Sequence, residues 1–181
     1  YNPLPHPIQD GISEVIIKTV LETGAKLKMD LNNVDYRSEI SWASTLTMAG
    51  FLSGRNGGWP LHAMEHQISA YYPQISHGSG LAALFLPLLE WNATRGGLDK
   101  FKCFVKNVFG REIQNFSEGS ALIKERFSLL GLCSTLEELG VEKERLPAIA
   151  RSAHELKSNK EGLLVNVKPL TLEEIGRASC R

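Results

Sequence analysis

Residues 57–87 read GGWPLHAMEHQISAYYPQISHGSGLAALFLP and contain two helical patterns joined by a short turn. A proline opens the first pattern, which covers residues 60–72, and Pro73 ends it. The second pattern begins near His77 and carries its large apolar residues at helical spacing, with Pro87 as an expected kink. This stretch therefore predicts two consecutive helices whose facing ends lie close together.

Helical patterns also occur on both sides of this stretch. They cover residues 10–26, 35–53, 98–108, 117–130, 135–139 and 142–157. Asp10 and Asp35 are expected to cap the first two of these helices. Thr171 and Glu174 form a capping box that opens one more helix, after a short extended piece at 163–167. Because no strand pattern alternates with the helices, the sequence predicts an all-α fold.

The composition narrows the class of protein. Of the 181 residues, 43% are hydrophobic and 22% are charged, which is enough apolar material for a core and argues against a disordered chain. The 20 basic residues balance the 20 acidic ones, whereas a nucleic-acid binder would show a basic excess. The longest stretch without acidic or basic residues, 67–89, is interrupted by prolines and glycines, so no membrane span is expected. Three widely spaced cysteines indicate a reducing cytoplasm rather than a disulfide framework.

Three of the five histidines fall within the central stretch. His62 and His66 are four residues apart and share one helix face, and His77 follows the turn at the start of the next helix. Neutral imidazoles that converge from two helices can bind Fe(II) or Zn(II). His6 and His154 have no such neighbours in the sequence. On the residues alone, metal binding and an ordinary structural role for the three histidines stay equally open.

Glu65 adds a second interpretation. Residues 62–66, HAMEH, match the H-x-x-E-H pattern of inverted zinc peptidases, in which the glutamate activates a metal-bound water. Three specified positions make a weak signal, and a solvated helix carboxylate is the ordinary role of such a residue. Replacing Glu65 with Gln should abolish hydrolysis by a peptidase and should affect other metal enzymes less.

The whole of residues 57–87 resembles the signature of the iron-containing (group III) alcohol dehydrogenase family, in its butanol dehydrogenase-like branch. Residues 7–20 and 38–51 are similar to the two helices that precede this signature, and residues 98–140 to the helices that follow. The resemblance implies the helical C-terminal domain of the dehydroquinate synthase-like, iron-containing alcohol dehydrogenase fold. The N-terminal nucleotide-binding α/β domain of the family is not contained in this sequence.

The resemblance also implies roles for the histidines. His62 and His77 match two of the family's four metal ligands, and the other two, an Asp and a His, are expected just before the residue that matches Tyr1. His66 matches a site histidine near the nicotinamide and the substrate, which gives it a cofactor-binding and a catalytic role in the proton path. The family pattern assigns no role to Glu65.

The activity implied by the resemblance is hydride transfer between an alcohol and NAD(P). A bound Fe²⁺ or Zn²⁺ would polarise the carbonyl oxygen of the aldehyde, and NAD(H) or NADP(H) would carry the hydride. The full-length protein is expected to be a cytoplasmic homodimer that acts on small alcohols and aldehydes and binds neither nucleic acid nor membrane. The zinc peptidase, a related glycerol dehydrogenase-like oxidoreductase and a non-enzymatic helical module remain as alternatives.

The last seven residues form a separate prediction. Residues 175–181, IGRASCR, resemble the in-frame translation of a common sequencing adapter, and Gly176 is expected to break the helix that Thr171 opens. We therefore assign residues 1–174 to the helical metal-binding domain, incomplete at its N-terminal edge, and residues 175–181 to a non-native tail. A longer reading frame without adapter in the source DNA would contradict this assignment.

A first testable prediction concerns the chain expressed alone. Because His62 and His77 supply only half of the implied coordination sphere, and catalytic zinc sites take three protein ligands, the chain should bind Fe²⁺ or Zn²⁺ weakly. It should also show no dehydrogenase activity. Calorimetric metal titration and an NAD(P)H oxidation assay measure both properties, and turnover by the isolated chain would contradict the prediction.

Overall fold

The computed structural model describes residues 6–50, 52, 60–133, 135–164, 166 and 169–179. Its α-helices are α1 (Pro7–Met29), α2 (Val34–Met48), α3 (Pro60–Tyr71), α4 (His77–Asn92), α5 (Leu98–Phe109), α6 (Phe116–Leu130), α7 (Leu146–Lys157) and α8 (Leu172–Ser179). Within these described ranges the extended backbone pairing consists of isolated bridges from Leu164 to Ser158 and to Leu170. The all-α prediction is confirmed.

The helices divide between two compact units. The first unit contains α1, α2, α5 and α6, and the second contains α3, α4, α7 and α8. A single π-helical turn, Ala93–Gly97, follows α4, and its backbone leaves the helical region at Arg95 and Gly96, where Gly96 has φ 99°. Only glycine adopts such a φ without strain, so Gly96 allows the backbone to leave the helical path after α4 has ended at Asn92. No helix in the described parts of the chain is both long and apolar enough to cross a membrane.

In the first unit, α1 lies against α2, α5 and α6. The buried side chains come mainly from α5, which contributes Phe101, Phe104, Val105 and Val108. Polar contacts join α1 to its neighbours at both ends, since Asp10 forms an ion pair with Lys100 and the Lys28 ammonium donates to the Leu129 carbonyl at 3.1 Å. Apolar burial on α5 and these terminal contacts together hold α1 in place.

The start of α1 differs from the expected one. Pro7 is its first residue and His6 precedes it, so Asp10 lies inside the first turn and is not the cap. A proline at the first helical position gives up no hydrogen bond, because the first backbone N–H groups of a helix have no partner within it. The Asp10 carboxylate instead accepts a hydrogen bond from the His6 backbone N–H at 3.1 Å.

The start of α2 differs as well. Asn33 caps this helix, because its side-chain oxygen accepts from the Tyr36 N–H at 3.1 Å, whereas Asp35 lies in the first turn. The helix ends at Met48, and the expected end at Ser53 lies outside the described residues. The prediction of Asp35 as the cap was therefore wrong, since Asn is as good a cap as Asp and Asn33 lies two residues earlier.

Two of the later predictions were wrong in detail. Residues 135–139 form a hydrogen-bonded turn in place of a helix, with the Val141 N–H on the Leu136 carbonyl at 3.0 Å and Gly140 at φ 81°. The pattern at 142–157 divides into a 3₁₀ turn, Lys143–Arg145, and α7, whose first turn contains Pro147. Proline is accepted in a first helical turn and breaks a longer run, so the division follows from its position.

The second unit has a continuous apolar core. Helix α3 packs against α4 and α7, and α8 packs against α7 and α4. The side chains that are almost fully buried at the centre are Met64, Ile68, Leu84, Ile149, Leu170 and Ile175. This core anchors α3 and α4 side by side, and it therefore positions the two histidine-bearing helices.

Helix α8 confirms the capping box but not the expected break. Thr171 Oγ1 accepts from the Glu174 N–H at 3.3 Å, and the Glu174 carboxylate accepts from the Thr171 N–H at 2.9 Å. The helix nevertheless continues through Gly176 to Ser179, and Ile175 is fully buried. Glycine costs a helix only ~1 kcal/mol, whereas burying an isoleucine side chain contributes ~1.5–3 kcal/mol, so burial prevails. The origin of residues 175–181 stays a prediction.

A second testable prediction concerns Gly119 of α6. A Cβ at this position would lie 2.6 Å from Cε1 of Phe101 and 2.8 Å from Cδ1 of Ile113, so Gly119→Ala overpacks the first unit. The overpacking should cost ~1–3 kcal/mol, against a gain of ~1 kcal/mol in helix propensity, and the net effect is a loss of stability.

Gly11→Ala is the matched control for this substitution. Gly11 lies within α1, and a Cβ added there would meet no neighbouring side chain within 4 Å, so the alanine should stabilise the chain by up to ~1 kcal/mol. Urea unfolding of both variants measures the difference, and equal or higher stability of Gly119→Ala than of the parent chain would contradict the prediction.

Candidate metal centre

The candidate metal centre lies in the second unit, where the start of α4 packs alongside α3. The Tyr72 N–H still donates to the Ile68 carbonyl at 2.7 Å, after which Pro73 ends the helical hydrogen bonding. Ser76 then caps α4, with its side chain accepting from the Ser79 N–H, and Ile75 is buried in the turn. This tight connection makes His77 the first residue of α4 and returns it to the face of α3 that carries His62 and His66.

The three predicted histidines are brought together. One ring nitrogen from each of His62, His66 and His77 can be chosen so that all three lie within 4.8 Å of one another. The His62 Nδ1 and His77 Nε2 atoms are 3.2 Å apart. The ring centroid of His77 lies 5.1 Å from that of His62 and 5.4 Å from that of His66. Their roles as ligands stay a prediction, but the convergence that such roles require is present.

The donor set fits a divalent transition metal. Two nitrogens that each lie ~2.0–2.1 Å from one cation at a near-tetrahedral angle are themselves ~3.3 Å apart. The separation of 3.2 Å between His62 Nδ1 and His77 Nε2 matches this spacing. Imidazole nitrogen is a ligand that suits Fe(II) and Zn(II) and is rarely used for Mg(II) or Ca(II). Two or three histidines leave room in the coordination sphere for further ligands.

The electrostatics of the cluster favour neutral imidazole at His62. Partial burial lowers the pKa of His62, and the neighbouring rings of His77 and His66 lower it further, while the Glu65 carboxylate opposes the shift. A protonated imidazole has no lone pair for a metal, so a lowered pKa keeps this side chain in the form that can bind one.

Glu65 is not the solvated carboxylate that its helical position suggested. Its side chain is fully buried, with one oxygen accepting from Ser69 Oγ at 2.6 Å and the other bonded to Nδ1 of His77. Gly80 of α4 is packed directly against it. Sequence reasoning missed Ser69 and Gly80, although both follow from helical spacing, four residues after Glu65 and three after His77.

The other described histidines serve elsewhere. His154 of α7 contacts the Gly162 carbonyl oxygen through Nε2 at 2.7 Å, which closes the turn after that helix. His6 supplies its backbone N–H to Asp10 at the start of α1. Among the described residues, neither belongs to the group of three histidines that could hold a metal ion.

A third testable prediction follows from the convergence of these rings. His62→Ala and His77→Ala should each weaken Zn²⁺ binding by the chain at least ~10-fold, equivalent to ~1.4 kcal/mol, because each removes a nitrogen from the cluster. His154→Ala, in the same unit, should leave Zn²⁺ binding unchanged. Isothermal titration calorimetry measures the three affinities, and equal Zn²⁺ affinity in all three variants would refute the site.

The sequence of this chain is similar to the C-terminal part of a known enzyme family. The profile described as "Fe-containing alcohol dehydrogenase family, C-terminal" matches residues 1–177. The NADH-dependent butanol dehydrogenase A of Clostridium acetobutylicum is 34% identical over 174 residues, which cover 93% of this chain and 44% of the relative. The NADPH-dependent aldehyde reductase YqhD of Escherichia coli is 28% identical over 163 residues, covering 84% of this chain and 40% of the relative.

A solved structure agrees with this assignment at the level of the fold. The NADH-dependent butanol dehydrogenase A of Thermotoga maritima superposes with a TM-score of 0.88 at 24% identity, over 98% of this chain and 46% of that chain. The present chain thus spans less than half the length of these relatives. Since the family profile extends over nearly every residue, the chain belongs to the iron-containing alcohol dehydrogenase family and corresponds to its C-terminal part.

Proposed function

We propose that this chain is the metal-binding part of an NAD(P)-dependent alcohol dehydrogenase that interconverts small alcohols and aldehydes. The observation that carries the proposal is the convergence of His62, His66 and His77 in a chain of this family. The relatives named above act as butanol dehydrogenases and as an aldehyde reductase, which supports a small alcohol or aldehyde as the substrate class.

His62 and His77 would hold the metal, Fe²⁺ or Zn²⁺. Their nitrogens have the spacing of two ligands of one cation, and the lowered pKa of His62 keeps its ring neutral. When bound, such a cation acts as a Lewis acid toward a carbonyl oxygen. The two histidines would hold the cation where the start of α4 meets α3.

His66 would move the alcohol proton. It lies on the same face of α3 as His62, with its ring centroid 6.0 Å from that of His62, and its side chain is exposed. A neutral imidazole has a basic ring nitrogen that can accept a proton from a hydroxyl and pass it to water. Because the His66 side chain is exposed, the accepted proton can then pass from the ring to solvent.

The redox partner would be NAD(H) or NADP(H), which supplies the hydride chemistry itself. Relatives of both kinds exist, since the Clostridium enzyme is NADH-dependent and the Escherichia coli enzyme is NADPH-dependent. In this chain His66 would face the nicotinamide, as the resemblance implies, and the resemblance assigns the remaining nucleotide contacts to a part of the protein outside this sequence.

The peptidase alternative is disfavoured by the surroundings of Glu65. A general base must reach the water that it activates, at ~2.6–3.2 Å. Glu65 is fully buried, and both of its oxygens are engaged, one by Ser69 and the other by His77. A carboxylate in this position serves the histidine next to it rather than a water in an open cleft.

A fourth testable prediction concerns His66 in the complete polypeptide that contains this chain. His66→Ala should lower kcat for butanol oxidation and butanal reduction by ~10²–10⁴-fold, the usual contribution of general acid–base catalysis. Its metal content should stay the same, because His62 and His77 remain. Steady-state assays with NADH and NADPH, together with metal analysis of the purified protein, measure both quantities.

His154→Ala is the control for this experiment, since His154 lies in the same unit and contacts a backbone carbonyl outside the cluster. It should retain the parent kcat. Absence of any NAD(P)H-linked activity in the complete polypeptide, or casein hydrolysis that depends on Glu65, would overturn the proposed function.

A further inference from the structure

The residue with the least expected position in the metal centre is Glu65. Its side chain has no solvent exposure, although it lies between two histidines along α3 that are at least partly accessible. We infer that Glu65 is a positioning residue that fixes the tautomer of His77, so that Nε2 of His77 carries the free lone pair toward His62 and toward any cation held there.

Hydrogen-bond chemistry determines which ring nitrogen of His77 carries the proton. An ionised carboxylate only accepts hydrogen bonds, and a neutral imidazole has one N–H and one bare nitrogen. An ionised Glu65 oxygen can only accept, so its hydrogen bond with Nδ1 of His77 assigns the proton to that nitrogen. The bare nitrogen is then Nε2, and this is the atom that lies 3.2 Å from Nδ1 of His62.

The surroundings of the carboxylate show that its position is built into the fold. Burying a carboxylate is costly unless its oxygens have partners, and the second oxygen of Glu65 accepts from Ser69 Oγ at 2.6 Å. Space for the side chain comes from Gly80 in α4. A Cβ at residue 80 would lie 2.8 Å from Cγ and 2.9 Å from Oε1 of Glu65. Two helices therefore contribute to one binding position for the carboxylate.

The inferred arrangement has a general counterpart in metal sites. A ligating histidine commonly donates its second N–H to a carboxylate, which sets the ring orientation and raises the basicity of the ligating nitrogen. Loss of such a partner typically weakens metal affinity by ~10–100-fold. The inference depends on the three-histidine cluster as a metal site for its affinity effect, but the tautomer of His77 is a property of the metal-free chain.

The fifth testable prediction uses two substitutions at Glu65 in the 181-residue chain. Glu65→Leu removes both acceptor oxygens and leaves a buried apolar side chain, whereas Glu65→Gln retains one carbonyl oxygen that can accept from His77. Long-range ¹H–¹⁵N spectra of labelled histidine, recorded under mildly alkaline conditions, report which ring nitrogen of His77 is protonated. The parent chain should show the Nδ1–H form, Glu65→Leu should lose this preference, and Glu65→Gln should keep most of it.

Zn²⁺ affinity, measured by calorimetry, provides the second readout. Glu65→Leu should bind Zn²⁺ ~10–100-fold more weakly than the parent chain, with Glu65→Gln in between. The same substitutions at Glu155, an exposed glutamate of α7 in the same unit, serve as controls and should change neither readout. Circular dichroism checks that the variants remain helical.

If Glu65→Leu does not fold, Glu65→Gln and Ser69→Ala provide the test, because Ser69→Ala keeps the carboxylate and removes its second donor. Both should weaken Zn²⁺ binding several-fold in a folded chain. An unchanged His77 tautomer in Glu65→Leu, or unchanged Zn²⁺ affinity in the folded variants, would overturn the inference. A dehydrogenase assay is not involved, so failure of the proposed function and failure of this inference are separate results.

Discussion

The hydrogen bonds of the buried Glu65 carboxylate are the constraint on which the histidine cluster depends. The carboxylate joins α3 to α4 by accepting from Ser69 on its own helix and by its hydrogen bond with Nδ1 of His77 on the next one. A buried carboxylate without partners would destabilise the fold by several kcal/mol, so the two helices must keep the spacing that satisfies it. Gly80 permits this spacing, because any larger residue there would meet the Glu65 side chain. The apolar core around Met64, Ile68 and Leu84 then holds both helices at that distance.

The H-x-x-E-H spacing alone does not tell whether the glutamate activates a water molecule or contacts a neighbouring histidine, whereas the structure distinguishes these two roles. In a peptidase the glutamate must face a water molecule, whereas here Glu65 contacts Nδ1 of His77. The histidines that approach solvent, His66 and His77, lie on the accessible side of the same junction. We therefore expect a reaction to take place at the exposed imidazoles, with the buried carboxylate holding one of them in position.

Local signals in the sequence account for much of the architecture. Pro73 ends one helix and apolar residues at helical spacing follow from His77, so the bounds of α3 and α4 were predicted within a residue or two. The i,i+4 spacing places His62 and His66 on one face whatever the surroundings. In other parts of the chain, local sequence signals did not determine the structure. At α2 two cap residues were available, and at residues 135–139 a short helical pattern formed a turn instead.

Composition, helical periodicity and the spacing of three histidines were sufficient to indicate an all-α chain with a candidate metal centre, because each is a property of neighbouring residues. The resemblance of residues 57–87 to the family signature implied roles for those histidines, which stay predictions. The burial of Glu65 could not be predicted from neighbouring residues, since it depends on which side chains of α4 and α7 cover α3. The same holds for Ile175, whose burial keeps α8 helical through Gly176. Contacts between residues distant in sequence settled these features, because desolvation and packing act on the folded surface and not on the local chain.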